Sequence, residues 1–344
     1  MNKQVVFASV VFLLAFSACK KDTPDIVNQG VVSSGSRGVL IGCEGNFQFG
    51  NASLNYYNYD DSSVVSNVFQ SANNRPLGDV LQSICRHNQE LYLVMNNSGV
   101  VEVVNPTDFS SVSTIKGFTS PRYFLPINNA KAYVSDLYAS AIHVVDLNSK
   151  SIVKSIKVSG WTEEMVLLNG KAFVCNTANG QIYVVDVEQD VLIDSVAVGS
   201  GPTSIVEDKD GMLWVLSGGD SNIPSSASAL IQLDPITLER TRTIDFEPGS
   251  RARQLKINGN KDHLYFLEKG VQKLDLTSQS SEKTLFVGQG SRNLYGLGID
   301  PVNGNVFVAD AIDYIQNSVV YLYDSEGSEV ASVPVSVNAS TFNY

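Results

Sequence analysis

The chain has 344 residues, 43% of them hydrophobic, and carries 24 Lys and Arg against 35 Asp and Glu, a net charge of −11. That is ample apolar material for a buried core. The acidic balance excludes nucleic acid and anionic lipid surfaces as partners, because both repel such a surface.

The first eighteen residues differ from the rest. Lys3 precedes the apolar run "VVFASVVFLLAFSA", which ends on small residues before Cys19. The run is too short to span a membrane and reads as a secretion signal over residues 1–18. Its "LAFSAC" ending resembles a bacterial lipobox, which implies that Cys19 is acylated and becomes the first residue of the mature chain. Residues 19–36, rich in Asp, Ser, Gly and Asn, then form a flexible tether from that anchor.

From Gly38 onward one phrase repeats: a short apolar strand, a turn, a strand with an aromatic, a loop, and a strand closed by an acidic or amide residue. The closing residues are Asp60, Asn105, Asp146, Asp186, Asp234, Asp275 and Asp324. They recur roughly every 40 to 50 residues, the period of four-stranded propeller blades. Gly, Asn, Asp and Ser interrupt alternating apolar runs throughout, and no long helical period occurs. The expectation is an all-β, seven-bladed propeller over residues 37–344.

The first copy, "GVLIGCEGNFQFGNASLNYYNYDD", begins at the equivalent of a second strand, and the chain ends on the spare strand "NASTFNY". An unclosed ring would leave two sheet edges open. Ser340 to Tyr344 are therefore predicted to supply the missing inner strand of blade 1.

In such a ring, the blade-to-blade connections and the loops between second and third strands share one face, here termed upper. The lower hairpins, "NNAK", "NGK", "DKDG" and "NGNKD", are ordinary turn chemistry. The upper connections hold five of the nine arginines: Arg75, Arg122, Arg251, Arg253 and Arg292. The same face collects Phe47, Phe49, Tyr123, Tyr138, Trp161, Tyr295 and Tyr314. Planar guanidinium donors beside flat apolar surface suit a large ligand bearing amide, carbonyl or phosphate oxygens.

Signals for chemistry are few. The three histidines, His87, His143 and His263, fall in different repeats and cannot converge, so no metal site or His-based nucleophile is expected. Cys43, Cys85 and Cys175 lie in predicted strands, where a free thiol acts as a small apolar residue. "EDKDG" lacks the later ligands of a calcium loop, and "GQGSRNLYG" precedes a strand rather than opening a helix. Asp79, Glu163 and Glu164 are the obvious acids at the upper starts of inner strands.

Together, "CEGNFQFGNASLNYYNYDD", the repeated "YVVD" strands and the lipobox resemble surface lipoproteins of Bacteroidetes that carry YncE-like seven-bladed propellers. Within that group the chain is similar to the BtuG-type cobalamin-binding lipoproteins. The resemblance implies a non-enzymatic protein, anchored in the outer membrane at the cell surface. It would capture a corrinoid such as cobalamin as its bound ligand and pass it to a TonB-dependent outer-membrane transporter. A protein-interaction scaffold and, further off, a propeller hydrolase or lactonase are the competing expectations.

Overall fold

The computed structural model describes residues 37–278 and 280–344. The signal segment and Cys19 lie outside the described residues. Seven four-stranded antiparallel sheets are arranged as propeller blades. Blades 2 to 7 span Leu81–Lys116, Pro121–Lys157, Thr162–Ala197, Pro202–Asp245, Arg253–Gly288 and Leu294–Val337, each starting with its inner strand. Blade 1 takes three strands from Gly38–Cys43, Ser53–Asn58 and Val64–Val65. Its inner strand is Ala339–Asn343, paired antiparallel with Gly38–Cys43.

Closure by the C-terminus depends on room that two glycines provide. A Cβ at Gly42 would stand 2.4 Å from Thr341 Cγ2, and one at Gly298 would stand 2.4 Å from the Tyr344 hydroxyl and 2.7 Å from Phe342. Any larger side chain at either position would push the closing strand out of its slot.

Each blade buries apolar side chains from both sheet faces against its neighbours, and the core is therefore divided into seven clusters, one per blade junction. Tyr92, Val94 and Val103 of blade 2 pack on Phe124 and Val134 of blade 3. Val39, Ile41 and Tyr57 of blade 1 pack on Phe307 and Val320 of blade 7, so the last junction is as apolar as the others. The thiols follow the apolar reading: Cys43 and Cys175 are buried and Cys85 partly so, all three unpaired. Burial pushes the Cys43 thiol up to about 12.

The acidic and amide residues that mark the repeat have a local cause. Asp146 Oδ1 accepts the backbone N–H groups of Asn148 and Ser149, Asp186 those of Glu188 and Gln189, and Asp234 those of Ile236 and Thr237. Each side chain closes the tight turn into the outer strand, as Asx turns do. "EDKDG" is also structural. Asp208 is buried, accepting from the Asp210 and Met212 backbone and from Trp214 Nε1 at 2.9 Å.

Candidate functional site

Every inner strand breaks register near its upper end. The paired positions skip from Leu81 to Ser83, Pro121 to Phe124, Thr162 to Met165, Pro202 to Ser204, Arg253 to Lys256 and Leu294 to Gly296, and on the closing strand from Ala339 to Thr341. A β-bulge re-aims the residue it frees. The freed residues are Gln82, Arg122 with Tyr123, Glu163 with Glu164, Thr203, Gln254 with Leu255, Tyr295 and Ser340. Except for Leu255, these are polar or aromatic side chains, and most of them line the channel mouth. Gln254 holds its bulge at φ +60°, a backbone state that ordinary side chains adopt at a cost.

The mouth opens into a basin of about 420 Å³. Arg122 Nε meets Glu163 Oε2 at 2.8 Å across the junction of blades 3 and 4, while its Nη1 donates to Gln82 Oε1. Burial works against the Arg122 charge, but Glu163 beside it holds the guanidinium above its ordinary range. Burial pushes Glu163 up, against the opposing pull of Arg122. On the far side of the basin the Tyr295 hydroxyl donates to Glu44 Oε2 at 2.9 Å. Burial likewise raises Glu44, opposed by that hydrogen bond. Burial and the neighbouring Glu44 raise the Tyr295 phenol as well.

Of the five upper-face arginines, only Arg122 and Arg253 line the basin. Arg253 donates to the Leu294 carbonyl, and among the described residues no carboxylate pairs with it. The other three are committed elsewhere. Arg75 reaches the buried Glu102 at 2.6 Å on the flank of blade 2 and lies over the Phe69 ring. Arg251 donates to the carbonyls of Asp220, Ile223, Ser226 and Ser250, tying down the long loop of blade 5. Arg292 bonds the Tyr323 hydroxyl at 2.6 Å and stacks on Tyr321. In each case the fixed fork of donors is filled by the protein itself, so the expected cluster of five contracts to two.

The aromatics fall into two groups. Tyr138 and Trp161 meet edge to face at 6.2 Å where blades 3 and 4 join, and remain 62% and 46% exposed. Tyr295 and Tyr314 of blade 7 meet edge to face at 5.5 Å. Phe47 and Phe49 stand beside them on the loop of blade 1, with Phe49 77% exposed. In a seven-membered ring blade 7 lies across from the junction of blades 3 and 4, so the groups face one another over the mouth. Their loops are held firmly: Asn46 Nδ2 donates to the Tyr314 carbonyl at 2.7 Å, and the Gln48 N–H donates to Asp79 Oδ2 at 2.8 Å. Tyr123 instead lies inside the channel, its phenol raised well above the ordinary value by burial and by Glu164 and Glu163.

Glu44, Gln82, Thr203, Gln254 and Lys256 were not among the residues expected from the sequence. For Gln82, Thr203 and Gln254 the signal is the polar second position of the inner strand, in "LQS", "PTS" and "RQL". It becomes legible only when the seven copies are aligned on their inner strands.

Among the described residues no group of three or more His, Cys, Asp or Glu is placed to hold a metal ion.

Residues 37–344 match the family described as a domain of unknown function, DUF5074, and the chain belongs to that family. No curated protein matches the sequence. Among solved structures, a quinonprotein alcohol dehydrogenase-like protein from Bacteroides thetaiotaomicron superposes with a TM-score of 0.72 at 14% identity, covering 91% of this chain and 79% of its own. The periplasmic gluconolactonase of Pseudomonas aeruginosa superposes at 0.67 and 14%, covering 89% and 98%. A putative 6-phosphogluconolactonase from Bacteroides fragilis does so at 0.66 and 12%, covering 91% and 99%. Likeness at this level of identity establishes the fold.

Proposed function

We propose that this member of the DUF5074 family is a non-enzymatic capture protein that takes a corrinoid at its upper mouth and passes it to an outer-membrane transporter. The observation that carries the reading is the pair of aromatic groups facing each other across a basin lined by Arg122 and Arg253. A corrinoid is broad, apolar on its faces, fringed with amides and singly phosphorylated, so its body would rest on the rim aromatics. The basin is too small for the whole macrocycle and accepts a side group, while Arg253 supplies the guanidinium left to pair with an anion. A rigid ring presents these groups with little ordering cost on binding. Anchoring through an acylated Cys19 would hold the mouth near its transporter, and Cys19→Ser should then release the protein from membranes into the soluble fraction. A variant that still partitions with membranes would place the anchor elsewhere.

The test is calorimetric titration of cyanocobalamin into wild type, Trp161→Ala and Lys171→Ala. Truncating a desolvated aromatic anchor costs roughly 2 to 4 kcal/mol, about thirty-fold to a thousandfold in affinity. The lower-face Lys171 variant should bind as wild type does. No heat from wild type at tens of micromolar overturns the corrinoid reading.

Lactone hydrolysis is the second reading. Two carboxyls raised above their usual range in one basin are what acid–base chemistry requires, and a gluconolactonase shares the fold. Against it, Glu163 is committed to Arg122 and Glu44 to Tyr295. Turnover of gluconolactone that disappears in Glu163→Gln would replace capture with catalysis.

A further inference from the structure

Beneath the basin the channel continues into a partly enclosed cavity of about 150 Å³. Glu44, Gln82, Tyr123 and Gln254 line both spaces, so the two are one continuous passage along the axis. The deeper compartment adds Glu164, Lys256 and Tyr344. Lys256 Nζ meets Glu164 Oε1 at 3.1 Å, and Glu164 Oε2 accepts the Ile205 N–H. Those two charges offset each other, while Glu44 on the same wall has the Tyr295 hydroxyl, rather than a cation, as a hydrogen-bond partner. The cavity also presents hydrogen-bonding capacity. The Tyr344 hydroxyl is buried, lies close over Gly298, and has no hydrogen-bond partner within the protein. A buried phenol left without a partner is a standing cost to the fold.

We infer that this compartment is the second half of the binding site, and that it receives a slim, uncharged arm of the ligand bearing an amide or hydroxyl group. The inference rests on the capture reading and sharpens it. A compartment of about 150 Å³ has no room for a bulky group, and an ionised one would lose its water on entering. A neutral amide can accept from the Tyr344 hydroxyl and donate to a side-chain oxygen such as that of Gln254.

The first measurement needs no assumption about the whole ligand. Crystals of wild-type protein soaked in propionamide, a free neutral amide, should show the amide seated against Tyr344 and Gln254. Water alone in the cavity at saturating propionamide overturns the inference. The second uses Tyr344→Phe, which deletes one hydroxyl and keeps the packing. Because that hydroxyl has no partner in the unliganded protein, the melting temperature should hold or rise, while affinity for cyanocobalamin falls roughly two- to tenfold, the worth of one hydrogen bond. Unchanged affinity, with Trp161→Ala still weakened, overturns the arm and leaves rim capture standing. Seated propionamide without cobalamin binding supports the compartment and overturns the corrinoid reading.

Discussion

Arg122 on the inner strand of blade 3 meets Glu163 on the inner strand of blade 4 at 2.8 Å, with side chains only 21% and 8% exposed. The pair spans a blade junction at the channel mouth. Removing one partner strands a buried charge, which costs more than the intact pair contributes. Arg122→Ala and Glu163→Gln should therefore each lose about 3 kcal/mol in urea unfolding, because each strands the charge of the remaining partner. A loss below about 1 kcal/mol in both would mean that the charge pairing is not at stake.

Glu44 gives stability a pH dependence. Its carboxyl is raised from 4.5, chiefly by burial, so the folded state binds this proton more tightly than the unfolded chain does. Its contribution to stability is fully present below the unfolded value and is lost as pH rises through the folded one. Glu44→Gln removes that loss and retains an oxygen to accept from Tyr295. The variant should melt higher than wild type at neutral pH, with the gap closing as the pH falls towards about 4. A gap independent of pH would assign the titration to another group.

The arginines should separate by measurement. Arg75→Ala, Arg251→Ala and Arg292→Ala each break contacts within the protein and should lower stability by about 1 to 3 kcal/mol with cobalamin affinity unchanged. Arg253→Ala should do the reverse, leaving the melting temperature near wild type and weakening binding at least tenfold. Loss of binding in Arg292→Ala with unchanged stability would contradict this division.

Deletion of residues 339–344 removes the inner strand of blade 1 and part of the core beside Phe307. Exposing that edge should cost several kcal/mol and promote association. Thermal melting and light scattering would register both, and a truncated protein melting within a few degrees of the intact one would show that the ring does not depend on this strand.

Much of the architecture was legible in the sequence because it is written locally. Residues such as Asp146 and Asp234 close turns within their own repeat, and the alternation of strands such as "QIYVVD" sets which face is buried. The closing strand was legible for a topological reason, since a first copy without an inner strand and a last strand without a partner have one mutual solution.

The site was only partly legible. Rim aromatics such as Trp161 and Tyr138 were recognisable by their place in upper loops, where nothing within one blade needs them. The arginines were not separable, because whether Arg75 or Arg253 is spent depends on partners such as Glu102 and on the neighbouring blade, which no local pattern encodes.

The sequence by itself determined the ring, its seven blades, its closure and its upper face, all consequences of strand period and repeat length. Only the tertiary structure decided the floor of the site. Glu44, Gln82, Arg122, Glu163, Gln254 and Tyr295 come from six different blades, and bulges at the upper end of each inner strand aim most of them at one axis. Convergence of that kind is a property of the closed ring, and no single strand carries it.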